Sequence, residues 1–155
     1  MANADRERES GNDHFRLKAY RKAVRCYNKG LATFNGLHFL TEEEQAHLNT
    51  SLLPLHANLA AALYHLKDYP KAIENACKAL AIDPQHEKAL YRLGLAHEAL
   101  HDHDQAQDVY RRLAGMRPES ALYRQALVRI QGVEREALKH SIFVDIFNKP
   151  HGPHH

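Results

Sequence analysis

Two stretches of this chain, PKAIENACKALAIDP and DQAQDVYRRLAGMRP, carry small and large apolar residues at matching offsets 34 positions apart. Ala72 answers Ala106, and Pro84 answers Pro118. Self-similarity at that period marks a stack of helix-turn-helix units, none of which buries its apolar face alone. Such a stack coils into a superhelix whose long concave surface is the place to look for function. The period therefore predicts an all-α, right-handed superhelix of three repeats, and it points away from catalysis.

A frame that sets Gly94, Ala106 and Pro118 at the eighth, twentieth and thirty-second repeat positions puts the third repeat at 87–120 and the second at 53–86. In the first repeat, 4–35, Gly11, Ala23 and Tyr27 fall at positions eight, twenty and twenty-four. From Ala23 to Ala72 is 49 residues, one period plus 15, so an insertion occupies 36–52. It reads as helical: Thr41 with Glu44 forms a capping box, and Glu42 to Glu44 place negative charge where a helix N-terminus favours it. Pro54 then either kinks a long first helix of repeat two or opens a fresh one. After Pro118 the spacing of Leu122, Ala126, Ile130, Val133, Ala137 and Leu138 predicts a capping helix over 120–147. Solenoid ends need such a cap. The domain then spans 1–148, and the Pro- and His-rich 149–155 reads as a flexible tail.

Charge and composition narrow the partners. A net charge of +2, from 21 basic and 19 acidic residues, gives no ground for nucleic-acid binding, so any useful positive field must be local. There is no apolar run of spanning length and no apolar centre near MANADRERES, which predicts a soluble, cytoplasmic, monomeric protein with no membrane partner. Cys26 and Cys77 fall at apolar positions of helical patterns and read as reduced core thiols.

Arg8 and Asn12 are four apart on the first helix, as are Lys88 and Arg92 on the first helix of repeat three, so each pair shares a face. Asn58 stands one period before Arg92. First helices of successive repeats line the groove, which brings three cations and two amides together with Glu9 and Glu87 as the nearby carboxylates. A Lys and Arg four apart are usually a solvated face, and Asn is a poor helix former that turns up on surfaces. Joint placement in the repeat frame favours convergence, and convergent donors imply an anionic ligand.

The segments RESGNDHF, ANLAAALYHLKDYPKAI and EKALYRLGLA resemble the three-repeat tetratricopeptide (TPR) domains of heat-shock co-chaperones, most closely those of FK506-binding immunophilins. The resemblance covers about 5–147, including the insertion and the closing IFVDIFNK. It implies a carboxylate clamp for the acidic C-terminal peptide of heat-shock protein 90 or 70. Arg8, Asn12 and Asn58 would hold the terminal carboxylate, Lys88 the aspartate side chain, and Arg92 the adjoining peptide oxygens. Arg8 departs from the family's lysine; its planar fork is longer and always charged. No prolyl isomerase domain lies in these residues. The alternatives are a scaffold binding an internal peptide or a protein surface, and an accessory domain of an isomerase outside this sequence.

His101, Asp102, His103 and Asp104 form a dense run, but consecutive residues do not converge on one metal, and the run falls at the turn inside repeat three. There is no glycine-rich phosphate loop and no GxSxG elbow. The sequence thus calls for no catalytic residue, no metal and no cofactor.

Overall fold

The computed structural model describes residues 2–148 as seven helices: α1 Ala2–Arg16, α2 Tyr20–Ala32, α3 Glu42–His65, α4 Tyr69–Ile82, α5 Glu87–Ala99, α6 His103–Met116 and α7 Ala121–Phe147. No strand occurs among the described residues, and the expected flexible tail lies outside them. Successive helices pack as antiparallel neighbours, and α3 also touches both α1 and α5. The first helices of the three repeats, α1, α3 and α5, therefore stand side by side along one face.

The repeat register has a steric cause. A Cβ on Gly11 would come within 2.5 Å of the Tyr27 ring, and one on Gly94 within 2.6 Å of the Tyr110 ring. Both tyrosines are essentially fully buried. Each ring abuts the first helix of its own repeat at a distance that glycine at the eighth position permits. In repeat two the same two positions are Ala60 and Ala76, both at 0 % exposure. Loss of the ring there goes with a methyl group where the other repeats have hydrogen, and both alanines are closed off from solvent. Ala23, Ala72 and Ala106, at the twentieth position, are likewise fully buried.

The turns inside the repeats also follow the frame. Lys18, Lys67 and His101 hold the fifteenth position, and all three adopt left-handed backbone, with φ of 58°, 63° and 62°. Around each the same pair of bonds closes the helix, as where Lys67 N donates to Tyr64 O at 2.9 Å and Asp68 N to Leu63 O at 3.0 Å. That is the Schellman closure, made here without glycine. After the second and third repeats the helices end at Asp83 and Arg117, both at φ −133° and outside the helical region because a proline follows.

The insertion is loop over 36–41 and helix over 42–52. Residues 33–41 form turns and extended chain, and helix begins at Glu42, where Thr41 Oγ1 accepts from Glu44 N and Glu44 Oε2 accepts from Thr41 N. From there α3 runs unbroken through Pro54 for 24 residues, so the proline lies inside a long helix and opens no new one.

Two packing expectations need correction. Cys77 is exposed, because on α4 the buried stripe is Ala72, Asn75, Ala76 and Ala79 and Cys77 points beside it; both cysteines are free. On α7 only Ala126 and Ile130 are buried, while Leu122, Val133 and Leu138 are 40 % exposed or more. Ala126 and Ile130 close the cluster of Leu90, Leu93, Tyr110 and Leu113. Polar bonds fasten the same half of α7: Glu98 receives Arg129 Nε and Nη2 at 2.6 and 2.9 Å, and Gln107 Nε2 donates to Glu134 Oε2 at 2.9 Å.

Candidate functional site

One groove of about 510 Å³ runs across α1, α3 and α5, and Arg8, Asn12, Asn58, Lys88 and Arg92 all line it. The structure thus places the five sequence-predicted residues together. Phe15, Pro54, Ala57, Ala61 and Tyr91 supply the apolar part of the groove lining.

The donors are held in different ways. Tyr27 Oη donates to Asn12 Oδ1 at 2.6 Å, and Asn58 Nδ2 donates to the same oxygen at 3.0 Å. These bonds join α1, α2 and α3 beneath the groove. Burial pushes the Tyr27 hydroxyl up to about 12, aided by Cys26 and opposed by Arg16 and Arg8, so it is a protonated donor at neutral pH. Arg8 pairs with Asp5 at 3.5 Å, and its Nε is buried with no hydrogen-bond partner among the described residues. The Arg92 guanidinium lies 5.5 Å from the centroid of the Tyr64 ring, a cation–π contact that fixes it on the groove wall. Lys88 is exposed at the rim.

Neither nearby carboxylate lines the groove. Glu87 is bound by Arg117, whose Nε lies 3.2 Å from both carboxylate oxygens, and by the Tyr123 hydroxyl at 3.3 Å. Glu9 and Asp13 face a small adjoining cleft that shares Asn12 and Arg16 with the groove. No carboxylate lines the groove, although Asp5 pairs with Arg8 and Asp13 with Arg16 at its edge, and the remaining cations and amide donors suit an anion.

Sequence reasoning missed Arg16, Tyr27 and Tyr91 as groove residues. Arg16 extends the spacing of four from Arg8 through Asn12, a signal that was available; it is ion-paired with Asp13. Tyr27 was placed in the frame only as a packing residue, and nothing in a sequence says where its hydroxyl ends. The HDHD run splits between the turn at His101 and the start of α6 at His103, with the His101 and His103 rings 5.8 Å apart.

A tetratricopeptide repeat family model matches residues 63–130. Among curated proteins, the chain is 30% identical over 132 residues to the peptidyl-prolyl cis-trans isomerase FKBP4 of Bos taurus, covering 85% of this chain and 29% of that protein. It spans about a third or less of the length of the curated relatives it matches. Among solved structures, the C-terminal TPR-containing domain of a putative FK506-binding protein of Plasmodium falciparum superposes with a TM-score of 0.81 at 27% identity, covering 89% of this chain and 92% of that one. The first TPR of Spaghetti (RPAP3), solved bound to the HSP90 peptide SRMEEVD, superposes with a TM-score of 0.71 at 25% identity, covering 86% of this chain and 94% of its own.

Proposed function

We propose that this tetratricopeptide-repeat domain is a noncatalytic co-chaperone-type adaptor that holds the acidic C-terminal peptide of a heat-shock protein 90 or 70 chaperone. One observation carries the reading: five donors from three helices line one groove that no carboxylate lines. The likeness to a TPR domain solved with an HSP90 peptide supports the choice of ligand. In this reading Arg8, Asn12 and Asn58 receive the main-chain carboxylate, Lys88 the aspartate side chain, and Arg92 the adjoining peptide oxygens. The chain works as a monomer in the cytoplasm.

Hydrogen bonds to a charged group contribute about 1.5–3 kcal/mol each, enough in sum to offset the ordering of a short flexible peptide. The terminal carboxylate separates this reading from a general acidic-peptide site. Amidation removes that charge and sets NH groups against NH donors while leaving the aspartate side chain in place. Titrating a peptide ending Met-Glu-Glu-Val-Asp, as free acid and as amide at one ionic strength, should show a loss of at least about tenfold, or roughly 1.4 kcal/mol. Equal affinities would favour a scaffold that binds an internal segment.

A further inference from the structure

The hydrogen-bonding capacity of Asn12 is divided in two by its neighbours. An amide oxygen has two lone pairs, and Asn12 Oδ1 accepts two bonds, from Tyr27 Oη at 2.6 Å and Asn58 Nδ2 at 3.0 Å. With its acceptor capacity used beneath the groove, Asn12 has only its NH2 to offer a ligand. We infer that Tyr27 is a positioning residue for anion binding: its hydroxyl makes Asn12 a donor-only group and so sets the groove's preference for a carboxylate over a neutral chain end.

Three features make the hydroxyl able to do this. The ring cannot slide, because it lies against Gly11, where even a Cβ would come within 2.5 Å of it. Burial keeps the hydroxyl protonated, and a phenol that holds its proton donates. Asn58 alone leaves the choice open, since two facing amides satisfy each other equally well if both turn over. After such a double turn Asn12 would show its carbonyl oxygen to the ligand, an acceptor that repels a carboxylate and welcomes an amide. The Tyr27 hydroxyl favours the first arrangement by one hydrogen bond.

Repeat three supplies an internal control. Tyr110 occupies the position equivalent to Tyr27 and packs on Gly94 in the same way, but its hydroxyl donates to Glu98 at 2.5 Å, away from the groove amides. Removing the hydroxyl from either ring preserves the aromatic packing, and only one removal touches Asn12.

This inference rests on the anion-binding reading above, and the test separates the two. Free-acid and amidated Met-Glu-Glu-Val-Asp peptides are titrated by calorimetry into wild type, Tyr27→Phe and Tyr110→Phe. Tyr27→Phe should weaken the free acid by about fivefold, the scale of one hydrogen bond, with the amide changed little; Tyr110→Phe should leave both as in wild type. Equal losses for the two peptides, or no loss, overturn the positioning role while the clamp stands. If the wild type binds neither peptide, the parent reading has failed, and NMR of the uncomplexed protein decides the inference. The Asn12 side-chain amide resonances must then shift in Tyr27→Phe and stay in place in Tyr110→Phe; indifference to Tyr27→Phe overturns it.

Discussion

Lys88 and Arg92 share one face of α5, yet their surroundings differ, and that difference makes the clamp assignment testable one residue at a time. Lys88 is exposed and Arg92 lies over Tyr64. Each change to Ala should weaken a Met-Glu-Glu-Val-Asp peptide by about tenfold or more, since each removes a charge-assisted bond. Lys88→Ala should melt as wild type does, whereas Arg92→Ala should also lose about 0.5–1 kcal/mol with its aromatic contact. Unchanged binding in either variant removes that residue from the clamp. The Gly94 site sets two principles against each other. Alanine is the better helix former by about 1 kcal/mol, but its Cβ would lie 2.6 Å from a ring atom of Tyr110, which is pinned in the core. Overpacking prevails, and Gly94→Ala should lose about 1–3 kcal/mol in urea denaturation. A gain in stability would show that the ring can retreat. The glycines, the alanines and Tyr27 were legible because each is dictated by backbone approach at a fixed repeat position. The Asn12 network was not, since no spacing encodes the direction of a hydroxyl.

At the scale of elements, the three repeats solve the same turn with unequal means. Asp68 caps α4 by accepting from Lys71 N at 3.3 Å, Asp102 before α6 makes no such bond and lies 3.4 Å from His97 Nδ1 instead, and the equivalent residue before α2, Ala19, has no side-chain oxygen to offer. Ala19→Asp should stabilise the domain by about 1 kcal/mol, read as a shift of the urea midpoint with an unchanged slope. No shift would mean that α2 finds its N-terminal bonds elsewhere. The link from α5 to α7 gives a second expectation. Hydrogen bonding from Arg129, opposed by burial and helped by Tyr110, holds the Glu98 carboxyl below its ordinary value of 4.5. A carboxylate with a depressed folded pKa contributes stability that is present above the ordinary range and lost as pH falls through the folded value. Glu98→Gln should therefore be less stable than wild type near neutral pH, and the gap should close in acid. A gap that stays constant across that range would assign the loss to packing. Thr41 and Glu44 announced the start of α3 because a capping box is a local device. Pro54 left two readings open because the choice depends on α4 and α5 packing along α3, which no local window contains.

For the whole molecule, stability in a solenoid is a sum over neighbouring elements, so it matters where the stack stops. The apolar spacing along α7 was legible, but a stripe says that a helix can bury a face and not that a neighbour is there to cover it. The apolar covering ends after about three turns. Ala126 and Ile130 are at 1 % and 0 % exposure, whereas Leu138, Ile142, Phe143, Ile146 and Phe147 are all more than half exposed. Ion pairs and amide bonds to the body likewise come from Arg129 and Glu134, in the covered part. The remainder of α7 is thus a helix sustained by its own backbone, and Phe143 and Phe147 pack on each other at 4.4 Å without reaching the core. Ending the chain after His140 should lower helical ellipticity in proportion to the residues removed and leave the melting temperature as it was. Ile130→Ala in the full-length chain should instead cost about 2–5 kcal/mol, because it opens a cavity under Leu113 and Tyr110. If the truncation melted as early as the Ile130 variant, the distal half of α7 would belong to the folding unit, and the cap would extend the full length that its apolar spacing suggested.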